Sequence, residues 1–196
     1  DVFGLTDTAF ESGYDNDPGG RVMDIYHVYM EWMSPIGKTR VGRTPCGAWG
    51  TQFANNSSQC NRIMLWGNWM PENWGLLLFH QKTKEQDATN LSSDGDNDAY
   101  YIDVSYKADM GQTTAALYVQ RDATPGSGSG GEFTRTKFWL TGKYAWDALN
   151  LEYEVDYNFG ECAVKKCDED NLGLYADLGY NAGDFTFGLK GIYASG

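Results

Sequence analysis

Charged residues stand at alternate positions along several stretches of this chain. Arg135, Lys137 and Lys143 alternate with Phe138, Leu140 and Tyr144, while Glu152, Glu154 and Asp156 alternate with Leu151, Tyr153 and Val155. Asp103, Lys107, Asp177 and Lys190 occupy equivalent places in further stretches. Residues two apart on a strand share a face, so opposite charges on adjacent strands become cross-strand pairs. Such a face can simply brace a wall. In a water-filled pore it can also impose a transverse field that orients polar solutes. Arg40 and Arg43 end another alternating stretch just before a loop bounded by Cys46 and Cys60, and both are read as pore-lining with the charges above. A loop folded inward beside these arginines would narrow the pore.

Other chemistries find less support. His27 and His80 are the only histidines, and the nominal serine partners Ser34 and Ser105 lie in no Gly-x-Ser-x-Gly elbow, so no catalytic residues and no enzyme are expected. No Cys-x-x-Cys-His motif attaches a haem. Asp94, Asp96 and Asp98 begin a stretch spaced like a calcium loop, but Ser105 stands where the closing glutamate belongs. The primary reading there is a solvated hairpin loop, with loosely bound calcium as the alternative and no firm cofactor. The four cysteines fall as two close pairs in loop-like sequence, which favours disulfides Cys46–Cys60 and Cys162–Cys167 over a metal site.

The elements that must position the charges follow from composition and periodicity. With 196 residues and a net charge of −12, one domain is expected and nucleic acid is a poor partner. No apolar run is long enough for a membrane helix, and the 15% aromatic content argues against a disordered coil. The dominant period is two. It predicts strands at about 22–33, 38–44, 61–70, 74–83, 100–108, 113–120, 135–146, 149–159, 172–180 and 185–193. Over 149–159 one face is wholly apolar and the other wholly polar, a run longer than the usual soluble strand of about five or six residues.

Hairpin parity sets the expected pairings. Folding at Met110-Gly111 puts Tyr106 opposite Ala115 and Ile102 opposite Val119. Folding at Asp147-Ala148 puts Trp146 opposite Leu149 and Lys143 opposite Glu152. Folding at Ala182-Gly183 puts Tyr180 opposite Phe185. In each case apolar meets apolar and polar meets polar. Short connections alternate with long Gly-, Ser-, Asn- and Asp-rich ones near 45–60, 84–98, 122–133 and 160–170. Aromatics gather beside the short turns: Trp32, Trp69, Trp74, Tyr106, Trp146, Tyr180 and Phe185. A charged inner face, turns short at one end only and an aromatic girdle favour an apolar face turned to lipid.

The segment Tyr29–Arg43, with its strand, Ser-Pro-Ile-Gly turn and Val-Gly-Arg end, resembles the strand–turn–strand of Gram-negative outer-membrane porins, as do hairpins such as Leu149–Phe159. The resemblance implies an all-β, antiparallel up-and-down transmembrane β-barrel in the bacterial outer membrane, with about ten strands in this chain. Its short turns would be periplasmic and its long loops extracellular. It also implies contact with membrane lipid and lipopolysaccharide, passage of small hydrophilic solutes or ions, and a possible homo-oligomer. Residues 1–21 read as an extracellular loop segment and 22–194 as hairpin strands of one domain. The termini depart from the porin pattern, which points to a piece of a larger barrel. A complete ten-strand barrel is the alternative. Two other functions stay open: a barrel sheath or anchor for a partner such as a cytochrome conduit, and a soluble carbohydrate-binding β protein.

Overall fold

The computed structural model describes residues 27–45, 50, 51, 53, 59–84, 96–123, 133–162 and 169–195. The period-two stretches form ten strands: β1 (Val28–Ser34), β2 (Gly37–Pro45), β3 (Gln59–Gly67), β4 (Trp74–Lys84), β5 (Asn97–Ala108), β6 (Gly111–Asp122), β7 (Phe133–Trp146), β8 (Leu149–Cys162), β9 (Glu169–Ala182) and β10 (Phe185–Ala194). They make one sheet in chain order, every neighbour antiparallel, and no helix occurs among the described residues. The sheet is open. β1 and β10 are its two edges, so the arrangement is not a closed ten-strand barrel. The expected loop segment 1–21 lies outside the described residues.

The β7–β8 register is the expected one, with Trp146 opposite Leu149 and Lys143 opposite Glu152. The other two hairpins are shifted. Tyr106 pairs with Thr113 and Ile102 with Leu117, while Tyr180 pairs with Phe187. In both, the turn sits one residue from its expected place, which moves every pair by two. The β5–β6 turn is Asp109-Met110 and the β9–β10 turn is Gly183-Asp184. Gly183 takes φ 63°, a left-handed conformation that costs a residue without Cβ nothing. Because the slip is even, every side chain keeps its predicted face. β3 ends at Gly67 rather than near residue 70, and Asn68–Asn73 form the connection to β4.

The two faces of the sheet differ in exposure. Along β5, Tyr100 and Ile102 are 57% and 41% exposed, whereas their neighbours Tyr101 and Asp103 are 6% and 9%. The sheet therefore curls to enclose one face, here called inner. Met64, Leu77, Phe79, Tyr101 and Ala116 pack there, with Trp66, Tyr118 and Trp139 against them. The outer face is apolar and unpacked: Ile63, Ile102, Leu117, Phe138, Tyr157, Leu174, Leu178 and Leu189 are all exposed.

The outer band has a definite height. On β8 it runs from Leu149 to Phe159, ten residue steps of about 3.3 Å, or roughly 33 Å along the strand. A strand tilted about 40° would project that run to about 25 Å, the height of the apolar band on outer-membrane barrels. At the short-turn end the outward rings pack together. Trp74 and Tyr106 have centroids 4.9 Å apart, and Tyr144 stacks on Trp146 at 5.3 Å. Thr113 Oγ1 is hydrogen-bonded to the hydroxyls of Tyr144 (2.5 Å) and Tyr153 (3.1 Å), so these phenols have polar partners at the rim.

Candidate functional site

The enclosed face carries the charge. Strand alternation brings Arg40, Asp103, Lys107, Arg135, Lys137, Lys143, Glu152, Glu154, Asp156, Asp177 and Lys190 to it. Arg43 is the exception. It lies opposite Asn61, whereas Arg40 lies opposite the buried Met64. A three-residue separation on a strand puts the two arginines on opposite faces, so Arg43 does not join the others.

Most inner charges are paired across strands. Arg40 binds Glu31 through Nη2 at 2.6 Å and Nε at 2.9 Å, with Lys38 also 3.6 Å from Glu31. Lys137 meets Asp156 at 2.6 Å, Lys143 meets Glu152 at 2.8 Å and Lys190 meets Asp177 at 3.0 Å. Arg135 grips both oxygens of Glu169, at 2.5 and 2.7 Å. The solvated pairs, such as Lys143–Glu152, contribute roughly 0–1 kcal/mol each. Their effect is to hold register and to fix where charge stands along the wall.

Between the charged zones lies an aromatic floor that sequence reading did not single out. Phe79 and Tyr101 stack at 4.5 Å, and Trp139 lies 6.4 Å from Tyr101 and 6.0 Å from Tyr118. Arg62 stands 4.2 Å over Phe79 and donates from Nε to Gln81 at 2.8 Å. Lys137 stands 4.2 Å over Trp139, and Lys38 the same distance over Trp66. Trp139 was already a visible exception on the polar side of its alternation. The run Leu76-Leu77-Leu78-Phe79 is apolar on both faces and so hid Leu77 and Phe79.

One segment of the β2–β3 connection crosses this face. Thr51 donates from its backbone N (2.8 Å) and its hydroxyl (2.5 Å) to Glu154 Oε2 on β8, and Phe53 stacks on Tyr175 of β9 at 5.8 Å. Glu154 has 0% exposure and Thr51 has 1%. Gly50 makes the close approach possible. A Cβ there would stand 2.7 Å from Thr141 Cγ2 and 2.9 Å from Glu154 Oε2, at φ +69°. An inward loop was expected beside the arginines of β2, but the segment docks on the acidic wall formed by β8 and β9. The backbone and hydroxyl donors of Thr51 satisfy Glu154 Oε2, whereas Oε1 is buried without a hydrogen-bond partner among the described residues.

The calcium reading falls partly outside the described residues. Asp96 binds Lys82 at 2.7 Å and Asp98 binds His80 at 3.0 Å, and Asp94 lies outside the described residues. No cluster of metal-ligating side chains occurs among the described residues. Cys60 is buried and is not a free thiol, while Cys46, Cys167 and the Cys162 side chain lie outside what is described. Non-reducing peptide mapping is expected to recover Cys46 joined to Cys60 and Cys162 joined to Cys167. The first bond would close a loop of about 15 residues, worth about 3 kcal/mol on the chain-entropy account. A Cys60–Cys162 peptide or four free thiols would contradict the pairing.

No known family model and no curated protein matches the chain.

Proposed function

We propose that this chain is part of the wall of a β-barrel channel in the bacterial outer membrane, passing small hydrophilic solutes or ions by diffusion. The observation that carries the reading is the segregation of the sheet's faces. Large apolar side chains are exposed over one face, from Ile63 on β3 to Leu189 on β10, while paired charges line the other. Soluble monomers rarely expose a contiguous apolar patch beyond a few hundred Å². Turning that face to lipid removes the cost, and leaves the charged face to water. The open edges β1 and β10 call for further strands to close the wall. The Gly50–Phe53 segment would narrow the lumen.

A barrel sheath around a partner protein would be better served by small neutral inward residues, and this inner face is charged. A soluble carbohydrate-binding protein would leave the outer aliphatic band in water.

Inner acids and bases are nearly balanced, so selectivity should come from the mouth. The long connections with their adjoining strand ends, residues 84–98 and 160–170, carry Glu85, Asp87, Asp94, Asp96, Asp98, Glu161, Asp168, Glu169 and Asp170 against Lys84, Lys165 and Lys166. The pairs Asp96–Lys82 and Glu169–Arg135 offset part of that excess. In planar bilayers under a potassium chloride gradient, the full-length protein is expected to show an open, weakly cation-selective conductance. The preference should fade near 1 M salt, where the Debye length is about 3 Å. An anion-selective reversal potential at low salt would contradict the mouth-charge argument. Absence of conductance would contradict the channel.

A further inference from the structure

We propose that the inner wall carries a binding subsite for a neutral pyranose sugar, beneath the docked Gly50 segment. The inference rests on the inner face being the solute-accessible one. A cavity of about 320 Å³ lies between β5, β6 and β7, roofed at one side by Gly50. Its lining alternates flat rings with hydrogen-bonding groups: Tyr101 and Trp139 beside Asp103, Gln112, Thr114 and Thr141.

Two features of the cavity point to an uncharged ligand with hydroxyls. Asp103 is 9% exposed, and what holds it is neutral: the Tyr101 hydroxyl and a backbone hydrogen bond at Leu77. A carboxylate oxygen has about two acceptor positions, so Asp103 keeps capacity for further donors. Trp139, whose ring lines the same cavity, has a buried indole N–H with no hydrogen-bond partner among the described residues. An unmet buried donor is uncommon and costly, and a ligand oxygen would satisfy it. Acceptor and ring line one cavity large enough for a six-membered sugar, and the unpaired donor belongs to the same Trp139 side chain. A pyranose presents C–H faces to aromatic rings and hydroxyls at its rim, which can both donate to a carboxylate and accept from an indole N–H.

An organic cation fits less well. Cations already stand over the floor: Lys137 lies 4.2 Å over Trp139 and Arg62 4.2 Å over Phe79, and Lys143 also borders the cavity. An anionic solute would face Asp103.

The test is saturation-transfer difference NMR on the full-length protein in detergent micelles, with glucose as probe and sorbitol and choline as comparators. Glucose is expected to bind with a dissociation constant on the order of a few mM, the scale for a small neutral solute of this size. Saturation should be strongest on its ring C–H protons. Sorbitol has similar hydroxyls but no ring face and should bind at least about tenfold more weakly. Trp139→Phe keeps the ring but loses the N–H, and Asp103→Asn loses the charge. Each should weaken glucose binding by roughly threefold to tenfold, the scale of one hydrogen bond. Should Asp103→Asn fail to fold, Trp139→Phe alone decides. Glucose transfer no stronger than sorbitol transfer, preference for choline, or unchanged binding in a folded Trp139→Phe would each overturn the subsite. Conductance measured on the same preparation separates the two claims: a conducting protein that ignores glucose loses the subsite and keeps the channel.

Discussion

Replacing Leu117 with arginine is expected to cost roughly 2–4 kcal/mol of stability in a bilayer, the penalty for a cation near the midplane of an outer-membrane barrel. Leu117 is 41% exposed on the outer face of β6, flanked across the sheet by Ile102 and Phe138. It stands midway between Thr113 at the short-turn end and Arg121 towards the long connections. In the proposed orientation its side chain meets acyl chains, and an arginine there has nowhere to place its charge without thinning the bilayer. The same substitution on a soluble sheet would put a charge into water at almost no cost. Urea-dependent unfolding from lipid vesicles, followed by tryptophan fluorescence, would show the loss. A change below about 0.5 kcal/mol would place this face in water.

Removing the Glu154 carboxylate should release the segment that crosses the inner face. Glu154→Ala deletes the acceptor for both the Thr51 backbone N–H and its hydroxyl. Hydrogen bonds to a charged group contribute about 1.5–3 kcal/mol each, so undocking becomes favourable unless the Phe53–Tyr175 stack holds the segment alone. The expected result is a larger single-channel conductance with more open-channel noise. Thr51→Val, which keeps the backbone donor and loses only the hydroxyl, should give a smaller change in the same direction. Unchanged conductance in Glu154→Ala would show that the segment does not restrict the lumen.

The legible part of this protein was the part governed by alternation. A strict period of two, from Leu149 to Phe159 and from Tyr100 to Ala108, identified strands and assigned faces without ambiguity. Register was less secure, because two-residue turns can sit one step either way. At Asp109-Met110 and Gly183-Asp184 an even slip left every face unchanged and gave the apolar pattern no means of detecting it. Arg43 stands three residues from Arg40, so the same alternation places the two arginines on opposite faces.

The docked segment was illegible for a different reason. Its contacts join Thr51 to Glu154 and Phe53 to Tyr175, more than 100 residues apart in the chain. The one local cue was Gly50, whose close approach to Thr141 and Glu154 has meaning only once the sheet has curled. The aromatic floor was concealed by Leu76–Phe79, where both faces are apolar and no period can be read.

The central claim is that the apolar face meets lipid and the charged face meets water. Spin labels placed singly at successive positions from Leu149 to Phe159, in the full-length protein in lipid vesicles, test it most directly. Molecular oxygen, which partitions into lipid, should collide preferentially with labels at 149, 151, 153, 155, 157 and 159. A water-soluble nickel chelate should collide preferentially with labels at 150, 152 and 158, the even positions not buried under the docked segment. The account predicts an alternation of period two, in opposite phase for the two quenchers, at every position but the buried 154 and 156. Nickel access at every position, or an alternation in the reverse phase, would contradict it.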